Sequence, residues 1–283
     1  MSLEKPLGPL MARERIRVGR RCVLAYHEVQ RNASKYRYRV TNQQFDEHLS
    51  FISSLTKNSS GERVPEITFD DGHRSNYEEA FPILEQHRLR AVFFVIAGRI
   101  STDREFMTWN QTRELVAAGH QVQSHGWAHR LLTRCSENDL RQELLSSKCE
   151  LEDRLGTDVQ AISAPGGRWN DKVAEACAKA GYKQLFHSNP WLQSRNLFGI
   201  QLQGRHMVTG GMGQHELKSL LRMSQSQVLL HRTKYRVKEQ VRVILGDRLY
   251  HKMWIKLAKW KSEEGIEVDV SESGKSERGI QQS

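Results

Sequence analysis

Two adjacent carboxylates, Asp70 and Asp71, follow an apolar segment and precede a glycine in the stretch ITFDDG. Two histidines with the spacing HxxxH, His125 and His129, come later in the chain. A hydrolytic zinc site generally has three protein ligands of nitrogen or oxygen and leaves one position for water. Both histidines and one aspartate would supply that set, and the other aspartate would be free to take a proton from the water. The spacing does not decide which aspartate does which.

Short apolar segments alternate with helical patterns along most of the chain. The predicted strands are residues 22–26, 66–69, 91–96, 120–124, 160–164 and 182–187, with the last strands among 198–202, 205–208 and 227–230. The predicted helices are residues 42–55, 77–87, 109–118, 138–155 and 171–180. Such alternation is typical of parallel βα units with right-handed crossovers. We predict a distorted (β/α) barrel of about seven strands rather than an open doubly wound sheet, because the strands look buried on both faces and no glycine-rich dinucleotide loop follows the first.

The polar candidates all directly follow a predicted strand. They are Asp70, Asp71, His125, His129 and His27. A barrel of this type collects its active site where strands end and the βα loops begin. Their placement therefore predicts a single site at one end of the barrel.

The motifs ITFDDG, SHGWAH and SAPGG, in this order, resemble the first three motifs of the polysaccharide deacetylases, carbohydrate esterase family four. LAYHEV and VTNQQFDEHL are similar to the entry segment of one bacterial branch, so the resemblance runs from about residue 23 to 208. It implies a distorted barrel, a divalent metal that is usually zinc, and hydrolytic removal of N-acetyl groups from amino-sugar residues. It also implies that Asp70 is the catalytic base and that Asp71, His125 and His129 bind the metal.

The third motif departs from the family pattern. Most members have an arginine just before the proline and an aromatic residue just after it, whereas here Ala164 precedes Pro165 and Gly166 follows. The arginine that would orient the base is therefore missing from its usual position, and Arg168 or Trp169 are the available substitutes. We expect Pro165, Gly166 and Trp169 to contact the substrate.

The family's general acid is a histidine at the end of an apolar strand, usually late in the chain in a sequence like LLH. His231 in VLLHR fits that description, and His27 in LAYHEV fits it at the first strand. Strand order in a barrel is circular, so a histidine on the first strand can take the place of one on the last. We predict His27, with His231 as the alternative and His206 in GRHMV as a third candidate.

The formal net charge is +10 and the pI is about 9.6, so the surface attracts anions. Much of the excess lies in residues 13–21 and 232–261, away from the motifs. Residues 235–261 have the apolar spacing of basic amphipathic helices, which would pack on the barrel or attach to an anionic membrane surface. No aromatic-rich basic strand or helix-turn-helix pattern indicates nucleic-acid binding.

We expect four regions: a basic leader (residues 1–20), the barrel domain (21–232), the basic amphipathic helices (233–261) and a disordered tail (262–283). The N-terminus lacks the apolar centre of a signal peptide, and the chain has no apolar run of about 18 residues. Its four scattered cysteines suit a reducing compartment. These features predict a cytoplasmic protein, with membrane attachment through residues 235–261 as the alternative.

The predicted function is that of a metal-dependent carbohydrate de-N-acetylase acting on a glycan or a glycan precursor. The altered third motif motivates an alternative, a catalytically silent barrel of the same fold that binds a glycan or a partner protein. The retained aspartate pair and HxxxH pair argue against it, because a binding module has no need of a spare carboxylate beside a metal. A cytoplasmic location would favour lipid-linked or nucleotide-linked amino sugars, or small oligosaccharides, over a finished extracellular polymer.

Overall fold

The computed structural model describes residues 22–57, 64–192, 194–224 and 226–234, together with residues 237 and 240. The described residues fall into two compact units. The first comprises those up to Pro190 and from Ser194 to Leu221, and the second comprises Trp191, Leu192 and those from Arg222 onward. The predicted leader, the predicted tail and most of the predicted amphipathic helices lie outside the described residues.

The first unit alternates short strands with helices. Its strands are β1 (Val23–Tyr26), β2 (Glu28–Gln30), β3 (Arg39–Thr41), β4 (Glu66–Phe69), β5 (Ala91–Val95), β6 (Gln121–Ser124), β7 (Ala161–Ser163), β8 (Gln184–His187), β9 (Arg195–Leu197), β10 (Ile200–Gly204) and β11 (His206–Met207). Its α-helices are α1 (Asn42–Lys57), α2 (Phe81–His87), α3 (Trp109–Ala117), α4 (Glu137–Leu155), α5 (Asp171–Lys179) and α6 (Gln214–Leu221). A π-helical turn, Asn76–Ala80, leads into α2.

The main sheet has the order β11-β1-β4-β5-β6-β7-β8-β10-β9, and all its neighbouring pairs are parallel except β9 with β10. β10 pairs with β8 and β11 pairs with β1, and Arg205 alone separates β10 from β11. The Arg205 N–H donates to the His187 carbonyl at 2.9 Å, and the Val208 N–H donates to the Ala25 carbonyl at 2.8 Å. One strand thus joins both ends of the sheet, which confirms the predicted α/β barrel.

Apolar residues fill both sides of the curved sheet. The larger cluster, which includes Phe93 and Ile162, packs against the helices. A separate small cluster occupies the other face and consists of Val23, Val92, Phe94, Ala161 and Phe186. Because side chains alternate along a strand, two polar residues continue this inner face: Ser163 at the end of β7 and Asp70 just after β4. The interior therefore changes from apolar to polar toward the carboxyl ends of the strands.

The sequence placed most elements within one or two residues of their observed ends. The two candidates for the last strand, 198–202 and 205–208, are the two halves of one strand, β10 and β11. The strand predicted at residues 227–230 is wrong, because residues 226–234 are helical. A short apolar run such as VLL fits a helix as well as a strand, and periodicity does not separate the two. Among the described residues, no helix is both long and apolar enough to cross a membrane.

Candidate active site

Asp71, His125 and His129 form a cluster at the carboxyl ends of β4 and β6. Their ligand atoms all lie within 4.8 Å of one another. Asp71 Oδ1 is 3.4 Å from Nε2 of His125 and 3.4 Å from Nε2 of His129. One carboxylate and two imidazoles are a normal ligand set for a hydrolytic divalent metal, so the residues fit the ion. The structure brings together the three ligands that the sequence predicts.

The DDG turn directs Asp71 into the cluster. Asp71 has φ of 73° and Gly72 has φ of 78°, a left-handed conformation that aspartate tolerates better than most side chains and glycine adopts freely. A Cβ at Gly72 would lie 3.0 Å from the Val95 side chain. The Asp71 carbonyl accepts a hydrogen bond from the Ile96 N–H at 3.3 Å, which ties the turn to the end of β5. The motif is therefore a turn and a ligand site at once.

His125 is fixed through its second ring nitrogen. Its Nδ1 lies 2.8 Å from the Ser163 carbonyl oxygen. A carbonyl only accepts hydrogen bonds, so Nδ1 carries the proton and Nε2 is left as the ligand atom toward Asp71. The His125 N–H also donates to the Val95 carbonyl at 2.8 Å. The ring is buried, and its orientation is set before a metal binds.

A buried carboxylate, Glu143 on α4, holds the loop that carries His129. Glu143 Oε2 accepts hydrogen bonds from the N–H groups of Trp127 and Ala128 at 2.9 and 3.0 Å. The histidine pair thus lies on a compact loop rather than a helical turn, and His129 itself has φ of 60°. The spacing HxxxH is compatible with both a helical turn and a loop, and the hydrogen bonds to Glu143 stabilise the loop.

We expect Glu143→Ala to weaken metal binding about 10- to 100-fold, because two N–H groups of the ligand loop lose their acceptor. Glu143→Gln is the matched control, since its amide oxygen still accepts both hydrogen bonds. Competition titration of the metal against a coloured chelator measures the difference. Equal affinities for the alanine variant and the wild type would show that the loop does not depend on Glu143.

The second aspartate, Asp70, is held by an arginine that the sequence did not single out. Arg205 Nη1 donates to Asp70 Oδ1 at 2.7 Å, and Arg205 Nη2 donates to Asp70 Oδ2 at 2.6 Å. Ser163 Oγ donates to Asp70 Oδ2 at 3.2 Å and accepts from Arg205 Nη2 at 2.7 Å. Asp70 is 3% exposed and Arg205 1% exposed, so the pair is removed from solvent. Its bidentate geometry is that of a strong charge-assisted contact.

Arg205 corrects the expectation that Arg168 or Trp169 replaces the missing arginine of the third motif. Arg168 is exposed, and Trp169 is half-buried against the His187 ring at 5.8 Å. Arg205 instead reaches Asp70 from the junction of β10 and β11. Ser163, which belongs to the third motif, keeps a contact with the pair.

The Asp70 carboxyl is ionised at neutral pH. Burial alone would raise its pKa, but the positive charges of Arg205 and His125 and the hydrogen bonds from Arg205 outweigh burial and lower the pKa from 3.8 to about 2. For Asp71, too, burial would raise the pKa, and the hydrogen bond to His125 with the charges of His27, His125 and His129 lowers it far below its ordinary value. Both aspartates are thus anions at neutral pH, as the predicted roles of Asp70 as proton acceptor and Asp71 as ligand require.

The three candidate acids have different surroundings. His27 follows β1 and is half-buried, and it lies opposite Asp70, because Tyr26 pairs with Phe69 and the Asp70 N–H donates to the Tyr26 carbonyl at 2.9 Å. His206 is paired with Leu24, a residue of the helix-side core, so its side chain points to the outer face of the barrel. His231 belongs to the second unit, where its ring stacks on Trp191 at 4.5 Å. The role of His27 as general acid stays a prediction.

The predicted substrate residues of the third motif form a short turn after β7. Pro165 is buried, with its ring 3.8 Å from the Cβ position of Gly126, so it supports the histidine loop. Gly166 is exposed with φ of 64°, and Trp169 lies under the Arg195 guanidinium at 5.7 Å. Contact of Pro165, Gly166 and Trp169 with a substrate stays a prediction.

Comparisons with known proteins find similarity to polysaccharide deacetylases and chitooligosaccharide deacetylases. Residues 57–185 match the family model described as polysaccharide deacetylase. YxkH of Bacillus subtilis is 27% identical over 205 residues, which cover 67% of this chain and 72% of that protein. The chitooligosaccharide deacetylase of Sinorhizobium fredii is 31% identical over 135 residues, or 47% of this chain, and the match spans 60% of that enzyme's length.

A solved structure has the same fold. The Streptococcus pyogenes deacetylase PplD, in complex with acetate, superposes with a TM-score of 0.60 and 22% identity, covering 72% of this chain and 98% of PplD. At that identity the likeness concerns the fold alone. The motifs, the family model and the fold agree, and the matched segment contains Asp70, Asp71, His125 and His129. Residues 57–185 of this chain therefore resemble the polysaccharide deacetylase family in their motifs, in the family model that they match and in their fold.

Proposed function

We propose that this protein is a metal-dependent hydrolase that removes N-acetyl groups from amino-sugar residues of a glycan or glycan precursor. The observation that carries the proposal is the separation of roles within the DDG turn. Asp71 faces His125 and His129, while Asp70 is held apart from that cluster by Arg205. This is the arrangement that hydrolysis of an acetamide requires: a metal site with a base beside it.

Asp71, His125 and His129 would hold the metal, which we propose to be zinc because its ligands are two imidazoles and one carboxylate. When bound, the ion would polarise the acetamide carbonyl and lower the pKa of a coordinated water. Asp70 then accepts a proton from the attacking water, and its ionised state at neutral pH is what allows this. Arg205 and Ser163 keep the Asp70 carboxylate in one orientation during the transfer.

The departing amine needs a proton as the carbon–nitrogen bond breaks. In our proposal the protonated imidazole of His27 supplies it, since the pairing of β1 with β4 puts His27 opposite Asp70. Acetate and the free amino sugar are the products. The proton that Asp70 gains from water balances the proton that His27 gives to the amine.

The catalytically silent alternative loses its main support. It was motivated by the arginine missing from the third motif, and Arg205 supplies that contact from another strand. A binding module gains nothing from a buried, bidentate ion pair on a carboxylate beside a metal site, because burying such a pair is costly.

We propose a cytoplasmic location, on the composition of the chain, and substrates whose sugar is linked to a lipid or nucleotide or is part of a short oligosaccharide. The basic character of residues 232–261 would favour anionic surfaces. Contact of residues 235–261 with an anionic membrane is part of the same proposal.

Acetate release from a panel of acetylated amino sugars tests the function. The panel contains N-acetylglucosamine, UDP-N-acetylglucosamine, a lipid-linked N-acetylglucosamine and N-acetylated chitooligosaccharides. We expect release from at least one of them, suppression by a chelator and recovery when zinc is added back. Asp71→Ala should lose both bound metal and activity, whereas Arg168→Met, at an exposed residue just after the third motif, should keep both. Release that the chelator leaves unchanged would contradict the metal mechanism.

A further inference from the structure

The imidazole of His27 is held in an unusual way for a proton donor. Catalytic imidazoles are normally oriented by a hydrogen bond to the ring nitrogen that does not face the substrate. Within the part of the chain that the structure describes, His27 Nδ1 is buried and has no hydrogen-bond partner. The ring instead stacks on Tyr38, with 4.8 Å between ring centroids and 23° between ring planes. The stack is therefore the contact that orients this ring.

The Tyr38 ring has a defined place, because a small parallel sheet carries it. β2 pairs with β3 so that Glu28 lies opposite Arg39. The Glu28 N–H donates to the Tyr38 carbonyl at 3.4 Å, and Arg39 Nε donates to Glu28 Oε2 at 2.8 Å. Glu28, which follows His27, is thus bound to Arg39, which follows Tyr38. This pairing keeps the rings of His27 and Tyr38 together.

The backbone of His27 is tied to the segment that follows the DDG turn. Asn76 is fully buried, and its Nδ2 donates to the His27 carbonyl at 2.6 Å. Ser75 Oγ accepts from the Val29 N–H at 3.3 Å. Asn76 opens the π-helical turn, a feature that occurs often at functional sites. Hydrogen bonds therefore fix the backbone around His27 against the segment that follows the aspartates. They do not fix the His27 ring, whose orientation depends on other contacts.

Tyr36 extends the aromatic surface beyond Tyr38. Its ring meets Tyr38 edge to face, with 5.9 Å between centroids, and is 41% exposed. Burial raises the pKa of the Tyr36 hydroxyl, and the negative charge of Asp71 raises it further. The rings of His27, Tyr38 and Tyr36 thus contact one another in a row.

We infer that Tyr38 is a positioning residue for His27: its ring, by stacking, sets the direction in which the imidazole delivers a proton to the departing amine. This rests on the proposed function and adds to it a residue outside the family motifs. The hydroxyl of Tyr38 has no part in the effect, whereas the aromatic face is essential to it.

The test compares two substrates that differ in their need for an acid. The first is the N-acetylated sugar of the panel that the wild-type protein hydrolyses fastest, whose amine must be protonated to leave. The second is 4-nitrophenyl acetate, whose phenolate leaves without a proton. For Tyr38→Leu we expect kcat on the sugar to fall about 10- to 100-fold with KM within about twofold, and the aryl ester rate to stay near the wild-type value. Tyr38→Phe should keep both rates.

His27→Ala provides the reference, because it should show the same substrate split in a stronger form. The aryl ester rate and the metal content also report whether each variant is folded, and Tyr38→Met serves as a second non-aromatic replacement. If both non-aromatic variants lose the two rates in parallel, or keep the full rate on the sugar, the inference is wrong. Failure of the proposed function looks different: the wild-type protein itself would then release no acetate that a chelator suppresses.

Discussion

Asp70→Asn is expected to lower kcat for acetate release by about 10³- to 10⁴-fold while the variant binds metal like the wild type. The amide is close in size to the carboxylate but has no charge with which to accept a proton. The Asp70 side chain makes its hydrogen bonds with Arg205 and Ser163. The substitution therefore leaves the cluster of Asp71, His125 and His129 unchanged. Metal content by elemental analysis and steady-state kinetics on the same preparation measure the two effects.

Asp71→Asn is the matched control for the neighbouring position. It should reduce metal affinity, because it replaces a charged ligand of the cluster, and its activity should rise again at high zinc concentration. Near-normal turnover in Asp70→Asn would show that another group is the base. Loss of metal in that variant would instead make Asp70 a ligand, and the division of roles within the DDG turn would be wrong.

Arg205→Met is expected to lower kcat about 100-fold and to destabilise the fold by about 3 kcal/mol or more. The substitution leaves the Asp70 carboxylate buried without its cation, which costs more than the salt bridge itself contributes. It also frees the carboxylate to rotate away from the position of the water. Arg205→Lys should be intermediate, because a lysine keeps the charge but loses the two-pronged contact.

Urea unfolding separates the two effects of Arg205→Met. The double variant Asp70→Asn, Arg205→Met has no unpaired charge and should recover much of the lost stability without recovering activity.

The pH dependence of stability gives a second test of Arg205. The pKa of Asp70 is lowered from 3.8 to about 2 in the folded wild type, so the contribution of the ionised carboxylate to stability is present above about pH 4 and is lost as the pH falls toward 2. The difference in unfolding free energy between wild type and Arg205→Met should therefore narrow over that range. A gap that does not change with pH would mean that Arg205 acts by packing alone.

The cluster of Asp71, His125 and His129 with Asp70 beside it could be predicted from the sequence, and the contact from Arg205 could not. Asp70, Asp71 and the two histidines are marked by their position directly after apolar strands and by the order of the motifs. The contact between Arg205 and Asp70 joins residues 135 positions apart, and no local pattern specifies it. A signal was nevertheless present: an arginine within a buried strand requires an anion, and Asp70 is an anion at the end of another strand. In the same stretch, GRHMV, the sequence drew attention to His206 as a candidate acid, but the His206 side chain points to the outer face of the barrel, away from Asp70.

The conformation of the loop that carries His129 could not be predicted from a local pattern either. Its form depends on Glu143, which lies on the following helix and whose side chain gives no sign in the sequence that it accepts two backbone hydrogen bonds. The orientation of His27 likewise depends on Tyr38, which belongs to the polar stretch between the first strand and the first long helix. Each of these supports comes from a residue outside the motif that it holds, whereas the aspartates and histidines directly follow strands that local patterns reveal.

The strand that pairs first with β8 and then with β1 carries Arg205 at the point where its partner changes. The base therefore acquires its cation only when the final strand docks and the two ends of the sheet meet. Long-range contacts of this kind form late and slowly in folding. Until then Asp70 must stay hydrated or take up a proton, so partly folded chains should be inactive even where the metal ligands have assembled. For the same reason a fragment cut at residues 57 and 185, the limits of the family match, would hold the ligands and the base but neither His27 nor Arg205. We therefore expect the smallest fragment that releases acetate to run from the first strand through the last.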